Sequence, residues 1–120
     1  MFEQLPKEET LSIFKEIEQD PTTTQRVLSQ KLGISLGKTN YLLQELVKKG
    51  FIRIKSFTDN PGKIGKIQYF LTKEGLDHRV SLIKVFLKKK EEEYNNLKLE
   101  WEQLTAKEGL VVNVNGEKNV

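Results

Sequence analysis

The chain contains no cysteine. That excludes a disulfide framework, thiolate metal sites and a cysteine nucleophile. Its one histidine, His78, cannot form an imidazole metal site alone, and no carboxylate loop of the calcium-binding kind is visible. No metal and no other cofactor is therefore expected. Uninterrupted apolar runs stop at two or three residues, too short for a membrane span. The opening Met1-Phe2-Glu3-Gln4-Leu5 lacks the basic-then-apolar pattern of a signal peptide, so a cytoplasmic location is expected. No nucleophile–base pair, phosphate-cradling glycine loop or acid pair is recognisable, which argues against an enzyme. What remains is a chain of 120 residues, 37% hydrophobic and 31% charged. It is long enough for one domain with an appendage, and apolar enough for a small core.

The net charge of +3 conceals a strong polarity. Residues 1–20 carry 2 basic and 6 acidic side chains, whereas residues 21–71 carry 9 basic and only 2 acidic ones, Glu45 and Asp59. Residues 72–108 hold 8 of each. A segment at +7 beside an acidic one is a directional charge and suits a polyanionic partner.

The pattern predicts helix, helix, helix, hairpin, long helix. Residues 7–19 follow Pro6, begin with Glu8 and Glu9, and repeat Leu11, Phe14 and Ile17 at helical spacing until Asp20-Pro21. Thr22-Thr23-Thr24 offers N-cap hydroxyls, with Gln25 placed to complete a capping box with Thr22. A second helix over about 24–32 turns Val27, Leu28 and Leu32 inward and ends at Gly33. Ser35 caps a third helix, about 36–49, with Leu36, Thr39, Leu43 and Leu46 on one face and Gly50 at its close. Residues 51–57 and 66–71 read as two strands around the turn cluster Asp59-Asn60-Pro61-Gly62-Lys63. Thr72 caps a last helix that runs to Gly109.

That last helix has a seam. Leu76, Val80, Ile83, Leu87, Lys90, Tyr94, Leu97, Trp101 and Leu104 alternate in steps of four and three, with Lys90 the single break. Four sustained heptads argue for a coiled coil. At 1.5 Å per residue, residues 73–106 extend about 50 Å. Dimerisation is expected through Leu76, Val80, Ile83, Leu87, Tyr94, Leu97, Trp101 and Leu104. Charge pairing, with Arg79 against Glu100 of a second copy among others, favours antiparallel over parallel association. His78 is expected on the surface or in packing, and Lys88–Glu93 as a solvated charged face.

Two short helices joined by Gly33-Ile34-Ser35, then a hairpin, form the winged helix-turn-helix pattern. Ser29 is small where the two helices must approach, and Leu28, Leu32, Ile34, Leu43 and Leu46 supply the core beneath them. The expected architecture is mostly α with a small β-hairpin: a head over 1–72, a coiled-coil helix over 73–108 and a tail over 109–120. The third helix then presents Gly37, Lys38, Asn40, Tyr41, Gln44, Glu45 and Lys48 outward. Asn and Gln can bind adenine bidentately and Lys can reach guanine or phosphate, so this face is competent to read a major groove. Lys55, Lys63 and Lys66 on the wing, with Thr24 and Arg26 on the second helix, are expected on the DNA backbone, adding affinity rather than sequence reading.

The stretch Leu32-Gly33-Ile34-Ser35-Leu36-Gly37-Lys38-Thr39-Asn40-Tyr41-Leu42-Leu43 resembles the MarR-type winged-helix regulators, as do Lys49-Gly50-Phe51-Ile52 and Leu71-Thr72-Lys73-Glu74-Gly75. The closest branch is that of the EPS-associated MarR-family transcriptional regulators. The resemblance covers about residues 7–104. It implies a double-stranded DNA partner, a homodimer, regulation of exopolysaccharide biosynthesis genes in a bacterium, and base reading by Ser35, Gly37, Lys38, Asn40, Tyr41 and Gln44. The family's wing has an Asp-x-Arg pattern, from which Asp59-Asn60-Pro61-Gly62-Lys63 departs. Ligand sensing by larger relatives is not carried over, and no small-molecule ligand is expected. The competing expectation is a protein-interaction scaffold working through the coiled coil, which has no need of +7 around the third helix.

Overall fold

A computed structural model describes residues 5–57 and 66–109. The turn cluster holding Asp59 and Lys63, and the tail from 110 onward, lie outside the described residues. The order is α1 (Lys7–Gln19), α2 (Gln25–Leu32), α3 (Leu36–Lys48), β1 (Ile52–Phe57), β2 (Lys66–Leu71) and α4 (Lys73–Glu108). The chain divides into two compact units, Met1–Ile83 and Lys84–Val120.

In the first unit, α1 contributes Ile13, Phe14 and Ile17 to the core, α2 Leu28, and α3 Leu42, Leu43 and Leu46. Ile52 of β1, Tyr69 of β2 and Leu82 of α4 complete it. Full burial of such side chains is worth about 1.5–3 kcal/mol each, so ten of them carry a head of this size. Leu32 and Ile34 pack against the cluster from its edge.

Two inward faces differ from expectation. Val27 is exposed, and Ser29 takes the buried place beside Leu28. Leu36 is 45% exposed, whereas Leu42 is buried. Leu36 is the first residue of α3, before the stripe Thr39, Leu42, Leu43, Leu46 that covers α2 at the i, i+3, i+4, i+7 spacing.

The start of α2 is also different. Its N-cap is Thr24, whose hydroxyl oxygen accepts from the Val27 N–H at 3.1 Å. Thr22 instead donates its N–H and hydroxyl to Asp20 Oδ1 at 3.0 and 2.7 Å, forming an Asx turn. Those two bonds hold the Asp20 carboxyl below its usual pKa. Gln25 therefore makes no capping box, and its amide is free to turn toward α3.

β1 and β2 pair antiparallel from Ile52↔Leu71 to Phe57↔Lys66. The Tyr69 N–H donates to the Pro21 carbonyl at 2.9 Å, tying the hairpin to the α1–α2 connection. β1 starts one residue later than expected because the Phe51 N–H is spent on the Leu46 carbonyl, 3.0 Å away, where Gly50 closes α3 at φ +79°.

A knot follows at the start of α4. The Thr72 hydroxyl donates to the Gly50 carbonyl at 2.5 Å and accepts from the Gly75 N–H at 3.0 Å. The Thr72 N–H donates to the Phe51 carbonyl at 3.0 Å. Gly75 lies so close to that carbonyl that an added Cβ would overlap its oxygen. His78, one turn on, stacks on Phe51 with ring centroids 4.5 Å apart and meets Phe14 edge-on at 6.0 Å. It is a packing residue, and burial, with Lys49 adding to it, lowers its pKa. Arg79 forms an ion pair with Glu18 of α1. This commitment within one chain competes with the Arg79–Glu100 contact that the antiparallel register required.

Of the seam residues in the first unit, Leu76, Val80 and Ile83 are exposed, while Leu82 faces the core. In the second unit Leu87, Tyr94, Leu97 and Leu104 are exposed, Trp101 is half-buried, and Val85 and Leu99 are exposed off the seam. No helix among the described residues is long and apolar enough to cross a membrane.

Candidate nucleic-acid interface

The α2–α3 corner is built from short polar contacts. Gly33 ends α2 in the left-handed conformation at φ 67°, which an L side chain would adopt only with strain. The Ile34 N–H donates to the Ser29 carbonyl at 3.1 Å, and the Ser29 hydroxyl donates to the Arg26 carbonyl at 2.7 Å. Ser35 then accepts from the Lys38 N–H at 3.0 Å as the N-cap of α3. With Thr39, Leu42, Leu43 and Leu46 buried, the opposite face turns outward: Gly37, Lys38, Tyr41 and Gln44 are exposed and Asn40 is half-buried.

These side chains are not independent. Gln25, the first residue of α2, donates through Nε2 to Asn40 Oδ1 at 3.1 Å. Gln44 donates through its own Nε2 to the same oxygen at 3.4 Å. Lys38 Nζ lies 3.4 Å from Glu9 Oε1 on α1, an exposed pair of the kind worth about 0–1 kcal/mol. Sequence reasoning missed both Gln25 and Glu9. Gln25 was read as a capping residue and Glu9 as a first-turn acid, and nothing local to either segment says that it meets α3.

Beside α3 lie two open hollows. One, of about 480 Å³, is lined by Thr22, Thr23, Thr24, Gln25, Lys66, Ile67 and Tyr69. The other, of about 260 Å³, is lined by Gln25, Asn40, Leu43, Gln44, Val47, Lys48, Ile54 and Tyr69. The fold thus brings Thr24 and Lys66 to one recess and Asn40 and Gln44 to the next, with Gln25 and Tyr69 on both. Arg26 is exposed on α2. Lys55 sits over the Phe70 ring at 5.4 Å, which fixes its ammonium beside the hairpin. Lys63 lies outside the described residues. No three His, Asp or Glu side chains gather as metal ligands among the described residues.

Residues 10–53 match the family model for winged helix-turn-helix DNA-binding proteins. The head is a winged helix-turn-helix. In this winged helix the matched span runs from α1 to the first residues of β1, so it takes in the whole of α2 and α3. Solved structures of MarR family transcription regulators share the fold. One is 18% identical over 84% of this chain and 72% of its own, with a TM-score of 0.54. Another, a mutant of ZitR from Lactococcus lactis, is 17% identical over 89% and 74%, with a TM-score of 0.50. No curated protein matches the sequence.

Proposed function

We propose that this winged helix is a MarR-type transcriptional regulator that binds double-stranded DNA sequence-specifically as a homodimer. The regulated genes are those for exopolysaccharide biosynthesis that the sequence resemblance implies. The reading rests on one observation above all: α3 turns out two amides, a lysine and a tyrosine, with Thr24, Lys48 and Lys66 around the adjoining recesses. Amides and lysine are the side chains that discriminate base edges, and the flanking hydroxyl and ammonium groups suit phosphates. Gly37 has nothing within 4 Å of an added Cβ, so the start of α3 is open to a close neighbour. The exposed seam of α4, Leu76 through Leu104, supplies the surface for a second copy. Binding needs no chemistry, and regulation follows from occupancy of the site.

The test begins with selection of bound fragments from sheared genomic DNA at moderate salt. Recovery of no enriched sequence would favour a protein-interaction scaffold. With a site in hand, Gln44→Ala and Lys66→Ala are titrated against that site and random DNA at several salt concentrations. Gln44→Ala should cost about 1–3 kcal/mol on the specific site and relax preference at one position. Lys66→Ala should weaken binding to both DNAs and lower the salt slope by about one unit per contact. The reverse pattern would exchange the roles of helix and wing.

A further inference from the structure

The hydrogen bonds around Asn40 carry a consequence for which base it can read. A side-chain carbonyl oxygen has two acceptor sites. Asn40 Oδ1 receives Nε2 of Gln25 at 3.1 Å and Nε2 of Gln44 at 3.4 Å, so both are filled. The group left for an incoming partner is the Asn40 NH2, a donor. Gln44 has committed one of its two amide protons and keeps the other, together with its own carbonyl oxygen.

We infer that Gln25 is a positioning residue that locks the Asn40 amide with its NH2 outward, so that Asn40 reads an acceptor edge rather than adenine. This rests on the DNA-binding reading above and sharpens it. A bidentate grip on adenine needs a donor to N7 and an acceptor for the N6 amino group on the same amide. Asn40 has lost the acceptor. Its NH2 suits guanine N7 and O6 or thymine O4, whose edges only accept. Gln44, with one donor and one acceptor remaining, still fits adenine. The three amides therefore act as one unit, in which the direction of a single hydrogen bond from α2 sets the polarity of two side chains on α3.

Polarity can be reversed without changing size. Gln25→Glu replaces the donor by an acceptor, which draws the Asn40 NH2 inward and turns Oδ1 out. Gln25→Lys keeps a donor and hence the original direction. Gln25→Ala removes the donor and adds no charge. Each variant and the unaltered chain would select from a library of randomised duplexes, with far-UV circular dichroism as the folding control. Gln25→Lys should enrich the original motif. Gln25→Glu should move one base position per half-site toward a donor edge, cytosine N4 or adenine N6, with a change in preference of roughly tenfold. Gln25→Ala should broaden that same position and no other. A role of Gln25 in stability alone would not divide the charged variants by hydrogen-bond direction. If all three variants enrich the original motif, Gln25 does not orient Asn40 and the inference is overturned. If the unaltered chain enriches no motif, base reading by α3 fails, and the relay falls with it.

Discussion

Two glycines on helices of the head should respond in opposite directions to the same methyl group. At Gly75 an added Cβ overlaps the Phe51 carbonyl oxygen, a backbone atom that cannot swing aside. Relief requires the start of α4 to lift. Lifting strains the Thr72 N–H bond to that carbonyl and the hydroxyl bridge from Gly50 to Gly75. Overpacking of this kind costs about 1–3 kcal/mol, and each bond that fails adds about 0.5–1.5 kcal/mol. Against this stands the better helix propensity of alanine, about 1 kcal/mol. The balance for Gly75→Ala is a loss of about 1–3 kcal/mol. At Gly37 nothing lies within 4 Å, so only the propensity remains. Gly37→Ala should gain up to about 1 kcal/mol in stability. Urea denaturation followed by far-UV circular dichroism, at one fixed protein concentration because association shifts apparent stability, measures both. A Gly75→Ala protein as stable as the unaltered chain would show that α4 can shift freely on Phe51, and the account of the knot would be wrong.

Leu87→Asp combined with Leu97→Asp should convert dimer to monomer in sedimentation, since both leucines are exposed on the α4 seam; an unchanged mass would place association elsewhere. His78 binds its proton less readily folded than unfolded, because burial and then Lys49 lower its pKa. The unfolded chain therefore takes up the proton first as pH falls through about 6.5, so stability present above that value should decline below it. His78→Phe should flatten that part of the curve in thermal melts between pH 7.5 and 5, and an unaltered slope would remove His78 as its cause. Glu9→Gln releases Lys38 from its ion pair, so affinity for any duplex should rise and the salt slope steepen, at a stability cost within about 1 kcal/mol; filter binding that finds weaker association would contradict this.

Helix ends were legible in the sequence because caps are local. Ser35 and Gly33 act as their residue types and positions predict, and α1 runs over the expected Lys7–Gln19. The hairpin register followed from two runs and a turn cluster. What could not be read was the long-range pairing of polar side chains. Gln25 and Asn40 are fifteen positions apart, and Lys38 and Glu9 twenty-nine. No period connects such pairs, and a polar residue facing solvent looks the same in sequence as one facing another helix. Apolar faces were read correctly in part. Leu36 was misplaced because a three–four repeat does not say which end of a short helix escapes its neighbour. Leu82 was overlooked because it lies off a seam that the heptads made conspicuous, yet it is the residue by which α4 enters the head core.

Between the end of α3 and the start of α4 the latch is one threonine hydroxyl and one carbonyl, and the covalent path between them is the hairpin. No slack loop joins the reading helix to the helix that bears the seam. Helical phase therefore acts as a setting. One residue inserted into α4 just beyond Ile83 would rotate everything after it by about 100°, whereas seven would nearly restore the angle and add about 10 Å of length. In a dimer held by the seam, the direction in which each α3 faces would be written in the number of residues separating Thr72 from Leu87. The spacing of the two halves of a DNA site would then be a property of α4's length, altered by insertion and untouched by any change to the amides that read the bases.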